Sequence, residues 1–294
     1  MRPTPEQPAG RASRRRRPAR RWWALVPGVA VLLVGAVLVW SWRTGSTDGV
    51  AAAAAAAAAD PPVFVAIDGG DRPTPSRADS NVPLGAPLSG IPEDGPHRFH
   101  WTQPGGDEPV AYDPCRPIPV VVNEAAAPPG ATAIVSQAIT EMAVITGLQL
   151  TMEGSTDEVP AVDRPAFQPE RYGDRWAPVL LAWTDPTEVP ELAGGVAGLG
   201  GSVRVGGPGS APAVYVSGIV LLDGPQAASM LGGGGDAAVR ALVLHELGHL
   251  LGLDHVDDDT QLMHDQPSTD VVELQQGDLA GLAELGRGPC RAEL

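Results

Sequence analysis

The chain has 294 residues, 43% of them hydrophobic, with 36 Gly, 31 Pro, two Cys and a formal net charge of −15. That length and apolar share support one or two cores, while the Gly and Pro excess points to long irregular stretches. The charge is uneven: residues 1–43 carry nine Arg and one Glu, and the rest carry eleven Arg against 34 acids. An acidic body of this kind excludes a phosphate-binding face, and with it a nucleic-acid partner.

In chain order, residues 1–21 read as an Arg-rich cytoplasmic tail ending in Arg20 and Arg21. Residues 22–42 carry no charge and are bracketed by Trp22, Trp23, Trp40 and Trp42. As a helix they would span about 32 Å, enough for a hydrocarbon core of about 30 Å. The expectation is a single transmembrane signal anchor with the N-terminus cytoplasmic and everything after Arg43 outside the cell. The alternative is a cleavable signal peptide, cut near Ala51–Ala59 to release a secreted form. Residues 43–95, alanine-rich and then Pro-rich, predict a flexible linker.

From residue 96 to 294 the pattern is that of a folded domain. Pro117–Asn123 and Ala177–Trp183 are short apolar runs suited to buried strands, and Leu148–Met152 alternates as a strand. Gly130–Ile145 has apolar residues at helical spacing, stopped by Gly147. Ala213–Leu222 is rich in β-branched residues and reads as a strand. Asp236 is placed to cap a helix over Ala237–Leu251, and a last helix is expected over Asp278–Leu285. Cys115 and Cys290, in an exported domain, are expected to pair; the alternative is that Cys115 ligates a metal and keeps the protein latent.

The segment Ala241–His255 reads ALVLHELGHLLGLDH. His245 and His249 are four apart, so on a helix they stand one turn apart on one face and can share a metal. Glu246 lies beside them, placed to reach a metal-held water without itself ligating. Gly252 can adopt the left-handed turn that ends a helix, after which His255 can return as a third ligand. Three nitrogen ligands leave a fourth position open, as a catalytic zinc site requires. Four of the six histidines fall between residues 245 and 264, which sets aside ordinary helical histidines as the reading.

The extended motif resembles that of the metzincin metallopeptidases. Met263, eight residues after His255, stands where matrixin-type members have their Met-turn methionine, and the resemblance implies that it floors a single catalytic Zn2+. Residues from about Cys115 to Cys290 look like the matrixin-like domain of actinobacterial exported proteins, including VAGLGG at 196–201 and VYVSGIVLLD at 214–223. The implied fold class is α+β: a twisted mixed sheet with an active-site helix, Met-turn and C-terminal helix, preceded by one N-terminal transmembrane helix. Two departures stand out. Cys115 sits in Asp-Pro-Cys-Arg-Pro instead of the Pro-Arg-Cys-Gly of a latency segment, and His264-Asp265 follows the methionine where matrixins have Tyr-Pro.

The expected function is a zinc-dependent endopeptidase acting on protein or peptide substrates from a membrane anchor. Zinc-bound water attacks the peptide carbonyl and Glu246 is the general base. The resemblance implies an extended substrate along the sheet's edge strand, sought within 213–223. Two other classes stay open: a zinc-binding surface protein without activity, and a zinc hydrolase acting on a non-peptide bond. His264 as an extra ligand and Asp257–Asp259 as a calcium loop are lesser candidates.

Overall fold

Apolar runs without a polar face become strands covered on both sides, and here such runs build the centre of the molecule. The computed structural model describes residues 65–67, 71–206, 212–266, 270–292 and 294. The expected anchor at 22–42, the tail before it and the Ala51–Ala59 run lie outside the described residues. Among the described residues no helix is long and apolar enough to cross a membrane.

In chain order the strands are β1 (Val65–Ile67), β2 (Arg98–Phe99), β3 (Ile118–Asn123), β4 (Leu150–Ser155), β5 (Val179–Thr184), β6 (Gly198–Val205), β7 (Val214–Asp223) and β8 (Leu253–Asp254). The helices are α1 (Ala131–Thr146), the single turn α2 (Pro169–Tyr172), α3 (Gly224–Gly232), α4 (Asp236–Leu251) and α5 (Gln276–Leu285), with a 3₁₀ turn at Pro190–Leu192. Six strands form one mixed sheet in the order β1-β6-β7-β5-β3-β4, and β2 pairs with β8. Strands β7, β5, β3 and β4 run parallel, whereas β6 is antiparallel to β7.

The alternation of β5 shows how the layers form. Val179, Leu181 and Trp183 join the large core under α1, α4 and α5, while Leu180 and Ala182 face a smaller cluster with Leu192 and Leu199. Helix α4 is apolar nearly all round, and every residue from Ala241 to Leu251 is buried. A helix of that kind is a core element, not a surface one. It begins at Asp236 itself, with Gly235 before it and no side-chain cap. Helix α5 starts two residues earlier than expected, because Gln275 and Asp278 form a reciprocal capping box that draws Gly277 into the first turn.

Two expectations are overturned. The strand within 213–223 is not an edge: β7 is bonded to β6 on one side and β5 on the other. A ten-residue apolar run buried on both faces belongs inside a sheet. The strand beyond it is the glycine-rich β6, whose outer neighbour β1 meets only Val203, Arg204 and Val205. Residues 198–202 of β6 have no outer strand among the described residues.

The linker expected over 43–95 is not free in its described part. Ser76 and Leu294 exchange backbone hydrogen bonds, Leu84 N–H donates to the Pro114 carbonyl, and Leu88 N–H donates to the Ile145 carbonyl. The Arg116 guanidinium donates to the carbonyls of Ser76 and Arg77. Gly85 lies on Gly147 so closely that a Cβ there would come within 2.4 Å of its carbonyl oxygen. Backbone pairing of irregular chain needs no apolar periodicity, so composition does not reveal it. The folded unit therefore includes residues from 65 onward, and a chain beginning at residue 65 is expected to unfold at higher denaturant than one beginning at 96.

Cys115 and Cys290 are disulfide-bonded across a sequence separation of 175. Closing so long a loop stabilises by about 5 kcal/mol in the chain-entropy picture. Replacing both cysteines by serine is expected to lower the unfolding free energy by about 3–5 kcal/mol, measured by denaturant titration.

Candidate metal centre

The centre is assembled at the C-terminal end of α4 and the turn that follows it. Gly252 ends the helix with φ of +124°, its N–H donating to the carbonyls of Gly248 and His249. That conformation disfavours side chains, and a Cβ would also lie 3.0 Å from both Leu285 and Tyr215. The chain then reverses through β8 to His255. The reversal is braced from the start of the domain: His100 N–H donates to the Gly252 carbonyl at 3.0 Å. Arg98 pairs with Asp254 at 2.8 Å, and Asp254 accepts the His255 N–H at 2.9 Å.

The result is three imidazoles facing one point. The Nε2 atoms of His245, His249 and His255 are 3.1, 3.1 and 3.2 Å apart pairwise. Two of the rings are fixed from behind: His245 Nδ1 lies 2.8 Å from the Leu262 carbonyl and His249 Nδ1 lies 2.9 Å from the Leu253 carbonyl. A carbonyl only accepts, so each Nδ1 carries the hydrogen and each Nε2 presents a lone pair inward. Lone pairs converging in a buried site repel unless a cation lies between them. The spacing is close to the ~3.3 Å edge of a tetrahedron with nitrogen–zinc bonds of ~2.05 Å. The residues present therefore fit a zinc ion.

Burial tunes these groups in the direction metal binding needs. Desolvation, with the neighbouring His255, pushes His245 down to about 4. Desolvation pushes His249 well below its usual range too, with His245 and His255 adding to it. Both rings are thus neutral and able to ligate near neutral pH. Burial pushes Glu246 up to about 8, opposed by a hydrogen bond from the Gly200 N–H. A cation at the histidines would act in the opposite sense on that carboxyl.

Met263 lies under the site against the helix backbone, for a Cβ on Gly248, between the two helical ligands, would sit 2.6 Å from its sulfur. Its turn is held by a residue the sequence reading passed over. The buried Asp278 carboxylate accepts the N–H groups of Leu262 (2.8 Å), Met263 (3.2 Å) and Gln275 (2.8 Å). The same turn supplies the Leu262 carbonyl to His245, so α5 orients a ligand through two hydrogen bonds. An acid three residues after Gln275 signals a cap, but not what else it holds.

Other candidates are not brought in. His264 stands outside the three-histidine group, with Nδ1 2.8 Å from the Gln266 carbonyl and Nε2 3.4 Å from Asp265. Asp258 accepts from the N–H and hydroxyl of Thr260, and Asp257–Asp259 form no metal-ligating group among the described residues. Cys115 is bonded to Cys290 and is no ligand.

A helix that offers two histidines one turn apart, a third beyond a glycine turn and a buried glutamate between them is a centre that can hold a metal ion beside a carboxylate. The family model described as Matrixin matches residues 212–286, which hold His245, Glu246, His249, His255 and Met263. Metalloproteinase-II from Bacteroides fragilis, a solved structure, is similar over 58% of this chain and 54% of its own, at 17% identity and a TM-score of 0.31. The chain thus spans about half the length of that protein. No curated protein matches the chain.

Two outcomes follow for the metal-free protein. Between pH about 8 and 6.5 the folded Glu246 keeps a proton that its unfolded counterpart, at 4.5, has lost, so stability rises as pH falls. Below about 6.5 the unfolded His245 and His249 take protons that the folded state refuses, two groups against one, and stability falls. Melting temperatures of the EDTA-stripped chain should therefore peak near pH 6.5; a monotonic rise from pH 5 to 8.5 would contradict this. Asp278→Ala strands three buried N–H groups at about 1 kcal/mol or more each. It should lower both the unfolding midpoint and the retention of zinc through gel filtration.

Proposed function

We propose that the chain is a zinc endopeptidase acting on extended protein or peptide segments outside the cell, with His245, His249 and His255 holding the ion and Glu246 as general base. The single observation that carries this is the convergence of three oriented imidazoles beside a buried carboxylate that completes no further ligand position. A zinc ion held by these histidines would supply Lewis acidity. Glu246 would accept a proton from the attacking water and return it to the leaving amine. The buried floor of Met263 and Gly248 keeps bulk water from beneath the histidines.

Substrate alignment falls to β6. Residues 198–202 lie next to Glu246 and have no outer strand among the described residues, so an extended peptide can add to the sheet there. The outside location rests on the Arg-flanked, Trp-bracketed run at 22–42.

The test compares the full chain with its Glu246→Gln variant. Both are expected to bind one zinc per chain, and only the first to cleave a degenerate peptide library, with a loss in the variant of at least about 100-fold. Stoichiometric zinc with no cleavage that the variant spares would leave a binding protein or a non-peptide hydrolase instead.

A further inference from the structure

The approach of β6 to α4 is closer than side chains permit. Alternate residues of a strand face one side, and on β6 the residues facing the helix are Gly198, Gly200 and Ser202. Ser202 Oγ donates to the Leu250 carbonyl at 2.6 Å. One helical turn earlier, a Cβ on Gly200 would lie 2.2 Å from the Glu246 carbonyl oxygen. At Gly198 the neighbour is different: a Cβ there would lie 2.7 Å from Glu246 Cγ, 2.7 Å from Oε1 and 2.9 Å from Cδ. Gly200 thus meets the helix backbone, whereas Gly198 meets only the reactive end of one side chain.

We propose that Gly198 is a positioning residue for Glu246: its bare backbone forms the wall against which the carboxylate rests, and so sets where that carboxylate stands relative to the three histidines. Neither glycine has a positive φ that would demand it, so the requirement is space and not backbone conformation. A glycine inside a strand marks close approach of another group; here the group is the proposed base, which also accepts the Gly200 N–H. The inference rests on Glu246 acting as base, as proposed above.

The experiment uses the full chain as wild type, Gly198→Ala and Gly200→Ala. Gly198→Ala should keep one zinc and the wild-type melting temperature, because the flexible carboxylate yields and the fold does not. Its kcat should fall about 10–100-fold, the cost of displacing a reacting group by about 1 Å, with KM unchanged. Gly200→Ala should instead lower the melting temperature, since its clash is with helix backbone. A crystal structure of zinc-loaded Gly198→Ala should show the carboxylate moved and the histidines in place. An unmoved carboxylate, a wild-type kcat, or a Gly198→Ala chain that unfolds or sheds zinc each overturns the inference. A wild type that cleaves nothing sinks the peptidase reading alone, and the crystal structure still decides the position of Glu246.

Discussion

Three imidazoles must bring their Nε2 atoms to about 3 Å from one another, and most of the surrounding structure can be understood as what holds them there. Such an arrangement is repulsive on its own and stable only around a cation or under mechanical support. The support comes from three directions. Core packing fixes α4, the Leu253 and Leu262 carbonyls fix the ring orientations, and Asp278 fixes the turn that supplies one of those carbonyls. Removing water from this region depresses the basicity of the rings and raises that of Glu246. The same burial thus prepares ligands and base together.

The sheet contributes by being unusual beside the site. Elsewhere its strands are Val- and Leu-rich and are held off the helices by side chains. At Gly198 and Gly200 that spacing collapses, and β6 touches α4 through main chain. This approach puts a strand segment without an outer strand neighbour among the described residues alongside the carboxylate, so the strand proposed to align a substrate and the residue proposed to move a proton lie side by side. A bulkier β6 would separate them.

A second theme is closure of the domain on itself. The disulfide ties residue 115 to 290, Arg116 gathers carbonyls from residues 76, 77 and 291, and the strap at 76–78 pairs with the last residues of the chain. Residues 98–100 brace the turn that carries His255. Segments that composition marks as irregular are thus structural, because backbone hydrogen bonds and one arginine fork can anchor chain that buries little apolar surface.

The ligand set was legible from spacing alone, since positions 245, 249, 252 and 255 follow from helical geometry and a glycine turn, both local properties. So were α1, β3, β5 and the interior of α4, where apolar periodicity reports burial directly. Strand β6 was not, because Gly-Leu-Gly-Gly has poor intrinsic preference for a strand and acquires it only by pairing with β7 and packing on α4. The edge assignment failed for a related reason: sequence shows that a segment is apolar on both faces, but strand order follows from how distant segments assemble. What the sequence by itself determined was the set of three histidines that the fold brings together. What only the tertiary structure decided was which strand meets Glu246, what holds the ligands and how far the domain reaches toward the N-terminus, because each depends on contacts between residues roughly 50 to 200 positions apart.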